Sequence, residues 1–155
     1  MVTIDKLKTE ELLKAHVNML TRTIGERSVY DRENLDKTAD YITSIFNEFG
    51  LRTWKEPYKF WNFTVANVLA EFQPKKEAKL RYLIGAHYDT VKGTVGADDN
   101  ASAVAVLLET ARQLSHLQAQ MDLALSVTFA AFTLEEPPVY GTSDMGSRVY
   151  ARNAR

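Results

Sequence analysis

The segment Leu80-Arg81-Tyr82-Leu83-Ile84-Gly85-Ala86-His87-Tyr88-Asp89 decides the fold. Leu80 to Ala86 is an apolar, branched and aromatic run of strand length, and it ends at an imidazole and a carboxylate two positions apart. A Gly-rich loop over 91–100 follows and contains Gly96-Ala97-Asp98-Asp99-Asn100. From Ala101 to His116 the residues Val104, Leu107, Leu108, Ala111 and Leu114 share one helical face. Leu123 to Leu134 is a nearly continuous apolar run, which predicts a strand buried on both faces. Glu135-Glu136-Pro137-Pro138 ends it, because two prolines cannot continue a sheet ladder. Strand, helix, strand in this order predicts an α/β protein, and in open α/β sheets ligands gather outside the carboxyl ends of the strands.

Upstream, Leu13, Val17, Leu20 and Ile24 predict an amphipathic helix over residues 5–23, with Gly25 as its stop. A second helix is expected from Asp31 to Phe49, with Asp31 as N-cap, Leu35, Ala39, Ile42 and Phe46 on its apolar face, and Gly50 just past its end. Strands are expected over Leu51–Phe60 and Phe63–Phe72, and Pro74-Lys75-Lys76-Glu77 reads as a polar turn. Gly146-Ser147 opens what reads as a further helix. No repeat, linker or low-complexity segment divides the chain, so residues 1–155 read as a single domain.

Composition narrows the function classes. The chain has 155 residues, 45% hydrophobic and 25% charged, with a net charge of -1. That balance suggests neither a nucleic-acid nor a membrane partner. No apolar run reaches the ~20 residues of a membrane helix. The N-terminal stretch lacks the apolar core of a signal peptide, which predicts a cytoplasmic location. There are no cysteines, so a metal site here must use His, Asp and Glu.

Three clusters supply those residue types, each at the end of a predicted element. Asp89 stands two positions from His87, on the same side of a strand, where it can hold one ring nitrogen and aim the other at a metal. Asp98 and Asp99 precede the third helix. Taken singly an Asp pair there is an N-cap, and His-x-Asp alone carries little. Glu135 and Glu136 are adjacent, so in a regular strand they point opposite ways and cannot share a job: one can bind metal while the other acts as a base. The convergence of all three clusters predicts one shared metal site. His16 and His116, on the first and third helices, read as surface residues.

Gly85-Ala86-His87-Tyr88-Asp89-Thr90-Val91, Gly96 to Ser102 and Leu134-Glu135-Glu136-Pro137 together resemble metallopeptidase family 28, the zinc aminopeptidase-like exopeptidases. Ile24-Gly25-Glu26-Arg27, Asn34-Leu35, Tyr41-Ile42, Ala66-Asn67-Val68 and Met145-Gly146-Ser147 agree with the same family, so the resemblance covers nearly the whole chain. It implies a three-layer helix/mixed sheet/helix fold and two zinc ions. It further implies His87 on the first zinc, Asp99 bridging both, and Glu136 on the second. Glu135 would be the general base that takes a proton from the metal-bound water and returns it to the leaving amine. Asp89 would orient His87, and Asp98 would shape the loop. The substrate would be a peptide, cleaved at its N-terminal bond. Ala103 stands where the family often has glycine.

The family also has a further Asp and a further His ligand downstream, beyond Arg155. The resemblance therefore implies an incomplete sheet and a partial zinc site. It predicts weak zinc binding, poor or no peptidase activity for this chain alone, and self-association that covers a bare sheet edge. Two other readings follow from the same resemblance. One is a glutaminyl-cyclase-like or carboxypeptidase activity. The other is a non-catalytic binding or assembly module, which would be expected to have eroded motifs.

Overall fold

The computed structural model describes residues 4–74, 77–120 and 124–154. Helix α1 spans Lys6–Asn18 and is capped by Asp5, whose side chain accepts from Lys8 N–H at 3.0 Å. The expected helix to residue 23 changes form at Met19: Met19–Ile24 widens into a looser turn that Gly25 ends at φ 95°. Helix α2 spans Arg32–Glu48, and Asp31 caps it as expected, accepting from Asn34 N–H at 3.1 Å. Strands β1 (Arg52–Phe60), β2 (Phe63–Phe72) and β3 (Leu80–His87) follow. Helix α3 (Ala103–Gln120) starts two residues later than expected, because Ala97–Ser102 forms an irregular turn in which Asp99 and Asn100 leave helical geometry. Strand β4 is Leu125–Phe132, and α4 is Gly146–Asn153. Leu123 and the turn residues Lys75 and Lys76 lie outside the described residues.

The sheet order is β1-β2-β4-β3, antiparallel except for the parallel pair β3 and β4. The parallel crossover through α3 puts the carboxyl ends of β3 and β4 side by side, with His87 opposite Phe132. Phe129 of β4 meets Phe46 of α2 at 6.1 Å between ring centroids, and Phe132 meets Tyr150 of α4 at 5.8 Å. Residues three apart on a strand face opposite sides, so α2 and α4 cover opposite faces of the sheet. This is the expected α/β arrangement of helix, mixed sheet and helix. The core runs through Leu35, Ile42, Phe46, Val68, Leu108 and Phe129, all essentially sealed from solvent.

At the β3 edge the sheet stops among the described residues. Leu80, Tyr82, Leu83 and Ile84 there are 37–56% exposed. An apolar strand edge with free main-chain groups is a template for another strand. Concentration-dependent self-association of the 155-residue chain is the expected outcome in multi-angle light scattering, and a clean monomer removes it.

The structure corrects the reading of His16. It is buried at 5% exposure, not on the surface, because α1 packs against α3 and turns this residue inward. Its Nδ1 lies 2.6 Å from the Tyr41 hydroxyl, and Nε2 is buried without a partner. Burial holds its pKa below the ordinary 6.5, with Glu109 working the other way and Arg112 adding to the depression. The unfolded chain therefore takes up a proton that the folded chain resists. That contribution to stability is present above the unfolded pKa and is lost as pH falls below it. Thermal melts are expected to show a fall in Tm between about pH 7.5 and about pH 5.5 that shrinks in His16→Phe. An unchanged pH dependence in the variant would count against a neutral buried ring. His116 is exposed, as expected.

Candidate metal centre

The carboxyl ends of β3 and β4 and the turn before α3 bring the expected ligands together. His87, Asp99 and Glu136 each offer one ligand atom, all within 4.8 Å of one another. His87 Nε2 stands 3.0 Å from Asp99 Oδ1. Behind the ring, His87 Nδ1 faces Asp89 Oδ1 at 3.4 Å, long for a hydrogen bond, and neither atom has another partner. Asp89 is 2% exposed, and its other oxygen accepts from Glu136 N–H at 3.0 Å. One buried carboxylate thus links the ends of the two strands and fixes the spacing of two ligands.

The electrostatics follow from this crowding. Burial disfavours a charged His87 ring, but Asp89, Asp99 and Glu136 outweigh it and hold the pKa above the ordinary histidine value. Burial and the neighbouring Asp99 raise Glu136, against the pull of His87. An imidazole and two carboxylates held this close, with one carboxylate reluctant to ionise, form a donor set whose charge a divalent cation would balance. The residues present fit such a cation. The donor set, N and O ligands without sulfur, suits zinc.

Glu135 and Glu136 do point to different places, as expected, but not because of regular strand alternation. Strand β4 ends at Phe132, and Leu134 adopts a left-handed φ of 56° while fully buried. A non-glycine residue held there costs on the order of 1–2 kcal/mol. This turn sends Glu136 toward His87 and Asp99. Glu135 goes instead to Ser147, whose N–H donates to Oε1 at 2.6 Å and whose hydroxyl donates to Oε2 at 2.9 Å. Glu135 and Glu136 nonetheless line the same cleft of about 480 Å³ with His87 and Asp99. Asp98 stays exposed in the turn, where its carbonyl accepts from the Ser102 hydroxyl at 2.7 Å.

Sequence reasoning missed the residues that hold this arrangement. Arg27 is fully buried, and its guanidinium donates to the carbonyls of Tyr88, Leu20, Gly25, Val95 and Gly96. Burial pushes its pKa down to about 10, with Asp89 opposing the fall, so it remains a cation at neutral pH. Gly96 is required beside it: at φ 53°, a Cβ there would collide with Asp99 O and Thr90, and press on the guanidinium. Asn67 is equally sealed. It donates to Glu56 and to Gly146 O, and accepts from Thr133 N–H. A lone amide between Ala66 and Val68 in an apolar strand was a readable signal; nothing in the sequence marked Arg27 as buried.

Replacing Arg27 with methionine keeps much of the volume but leaves several buried carbonyls without donors. Urea denaturation is expected to show a loss of about 3–5 kcal/mol. A loss under about 1 kcal/mol would show that water reaches these carbonyls.

An imidazole and carboxylates gathered at adjacent strand ends and the turn before α3 are a donor set of the kind metallohydrolases use. Comparison with known proteins is consistent with that class. The family model for peptidase family M28 matches residues 67–154. An uncharacterized protein of Escherichia coli, YfbL, is 36% identical over 149 residues, covering 91% of this chain and 44% of YfbL. The aminopeptidase YwaD of Bacillus subtilis is 36% identical over 86 residues, covering 54% of this chain and 18% of YwaD. The glutaminyl cyclase of Porphyromonas gingivalis superposes with a TM-score of 0.73 at 27% identity, covering 94% of this chain and 52% of the cyclase. The chain belongs to peptidase family M28. It spans less than two thirds of the length of each of these relatives.

Proposed function

We propose that this chain supplies the His87–Asp99–Glu136 portion of a zinc exopeptidase centre that acts as an aminopeptidase on the N-terminal bond of a peptide. The convergence of His87, Asp99 and Glu136 within 4.8 Å carries this reading. Bound zinc would polarise the scissile carbonyl and lower the pKa of the attacking water. The chain's own groups do the rest. His87 and Glu136, from neighbouring strand ends, and Asp99, from the turn before α3, would hold the metal, with Asp99 as the carboxylate shared by two ions. Asp89 orients His87 and fixes the Glu136 backbone. Glu135 is in the cleft but not in the ligand group, and it accepts the proton of water and passes it to the leaving amine. General acid–base catalysis of this kind contributes about 10²–10⁴-fold.

Three clustered donors are few for two ions, since catalytic zinc commonly has about three protein ligands each. The 155-residue chain is therefore expected to bind zinc weakly and to turn over poorly. Calorimetric zinc titration together with an aminoacyl-anilide panel tests both points. Tight two-metal binding with turnover by this chain alone would overturn the partial-site reading, and no zinc binding would overturn the metal reading. The structural likeness to the glutaminyl cyclase favours a second reading, cyclisation of an N-terminal glutamine. A glutaminyl peptide in the same panel separates them: release of the glutamine residue marks a peptidase, and loss of ammonia without chain shortening marks a cyclase. A non-catalytic module is disfavoured, because His87, Asp99, Glu135 and Glu136 are all present and gathered at one cleft.

A further inference from the structure

We propose that Ser147 is the positioning residue for Glu135. The inference rests on the reading of Glu135 as the base, and it adds how that base is aimed. A glutamate side chain has three rotatable bonds, so a useful base in an open cleft must be held by something other than packing. Ser147 does this with two donors. Its N–H meets Oε1 at 2.6 Å and its hydroxyl meets Oε2 at 2.9 Å. Two bonds to two oxygens of one carboxylate fix both its position and its plane. Each oxygen keeps a second lone pair free for a water proton.

The clamp works only if Ser147 is itself fixed, and the structure shows how it is. Ser147 is the second residue of α4. The preceding Gly146 donates its N–H to Thr133 O at 2.9 Å and accepts from Asn67 at 2.9 Å. A side chain at Gly146 would strike Asn67 and the Thr133 backbone, so only glycine lets α4 come this near β4. At the other end of α4, Asn153 donates to Glu56 at 2.8 Å, and Glu56 also accepts from Asn67. Helix α4 is therefore fastened to β1, β2 and the end of β4 at both its ends. Ser147 passes that rigidity to Glu135, while Glu136 takes its position from Asp89 instead. The two adjacent glutamates are held by separate supports.

The test has two independent arms. In the zinc-free 155-residue chain, the Ser147 amide proton is expected well downfield in NMR spectra, and Glu135→Gln should shift it upfield. Little shift means that the clamp does not exist in solution and overturns the inference whatever the activity. In an assembly of this chain that hydrolyses an aminoacyl-anilide, Ser147→Ala is expected to lower kcat about 10–100-fold with KM and zinc affinity nearly unchanged. Ser147→Thr, which restores a hydroxyl, should recover much of the loss. Unchanged kcat in Ser147→Ala overturns the inference. A loss that appears equally in zinc affinity, or that threonine does not relieve, assigns Ser147 to folding alone and overturns it as well. Where wild-type turnover is too slow to assay, as the partial metal site leads one to expect, the NMR arm alone decides the clamp.

Discussion

Glu135→Gln is expected to leave zinc affinity unchanged and to cut aminoacyl-anilide turnover by about 10²–10⁴-fold. Glu135 lies outside the His87, Asp99 and Glu136 group, so no ligand is removed. Glutamine keeps the side-chain length, and its oxygen can still accept from the Ser147 N–H that now lies 2.6 Å from Oε1. The side chain should therefore stay in place while losing its ability to take a proton. Calorimetry and kinetics on the same preparation, in an assembly of this chain that turns over, check both halves. Activity retained within a few-fold would remove Glu135 as the base. Lost zinc affinity would make it a ligand.

Asp99→Asn is expected to abolish zinc binding altogether instead of halving it. Asp99 offers a ligand atom within 4.8 Å of those of both His87 and Glu136, and in the proposed two-metal site its carboxylate would serve both ions. An amide offers a single neutral oxygen, and its NH₂ would turn toward one of the cations. The folded chain itself should tolerate the change. Asp99 is the most exposed of the three candidate ligands, and removing its charge relieves Glu136, whose pKa should move back toward the ordinary glutamate value. An unchanged Tm with zinc uptake reduced to background is thus the expected pair of results. Loss of only one ion would argue against the bridging role.

Much of this architecture was legible from residue pattern. The apolar runs ending at His87 and before Glu135 placed two strand ends, and the face from Val104 to Leu114 placed the crossover helix between them. Parallel pairing of β3 and β4 then makes the convergence of the clusters a geometric consequence. The supports were not legible in the same way. Arg27 reads as an ordinary charged residue, because its burial depends on five carbonyls from three separate segments. The separation of Glu135 from Glu136 was expected for the wrong reason. It comes from the left-handed turn at Leu134, a conformation that leucine does not advertise. His16 was misread because helical spacing alone does not show which flank of α1 meets a neighbour.

The bonds at Thr133, Asn67 and Gly146 have a consequence for the stretch between them. The chain leaves the sheet after Phe132 and comes back against it at Gly146; Glu136 is held by Asp89 and by the N–H groups of Val139 and Tyr140, and Gly146 by Thr133 and Asn67. Tyr140, at 70% exposure, stands on this stretch and also lines the cleft. Val139 is part of the core and its N–H donates to the Glu136 carbonyl, so the replaceable part is the exposed segment 140–143 around Tyr140. Selectivity for one substrate end over another could diverge there while the chemistry beneath it stays constant.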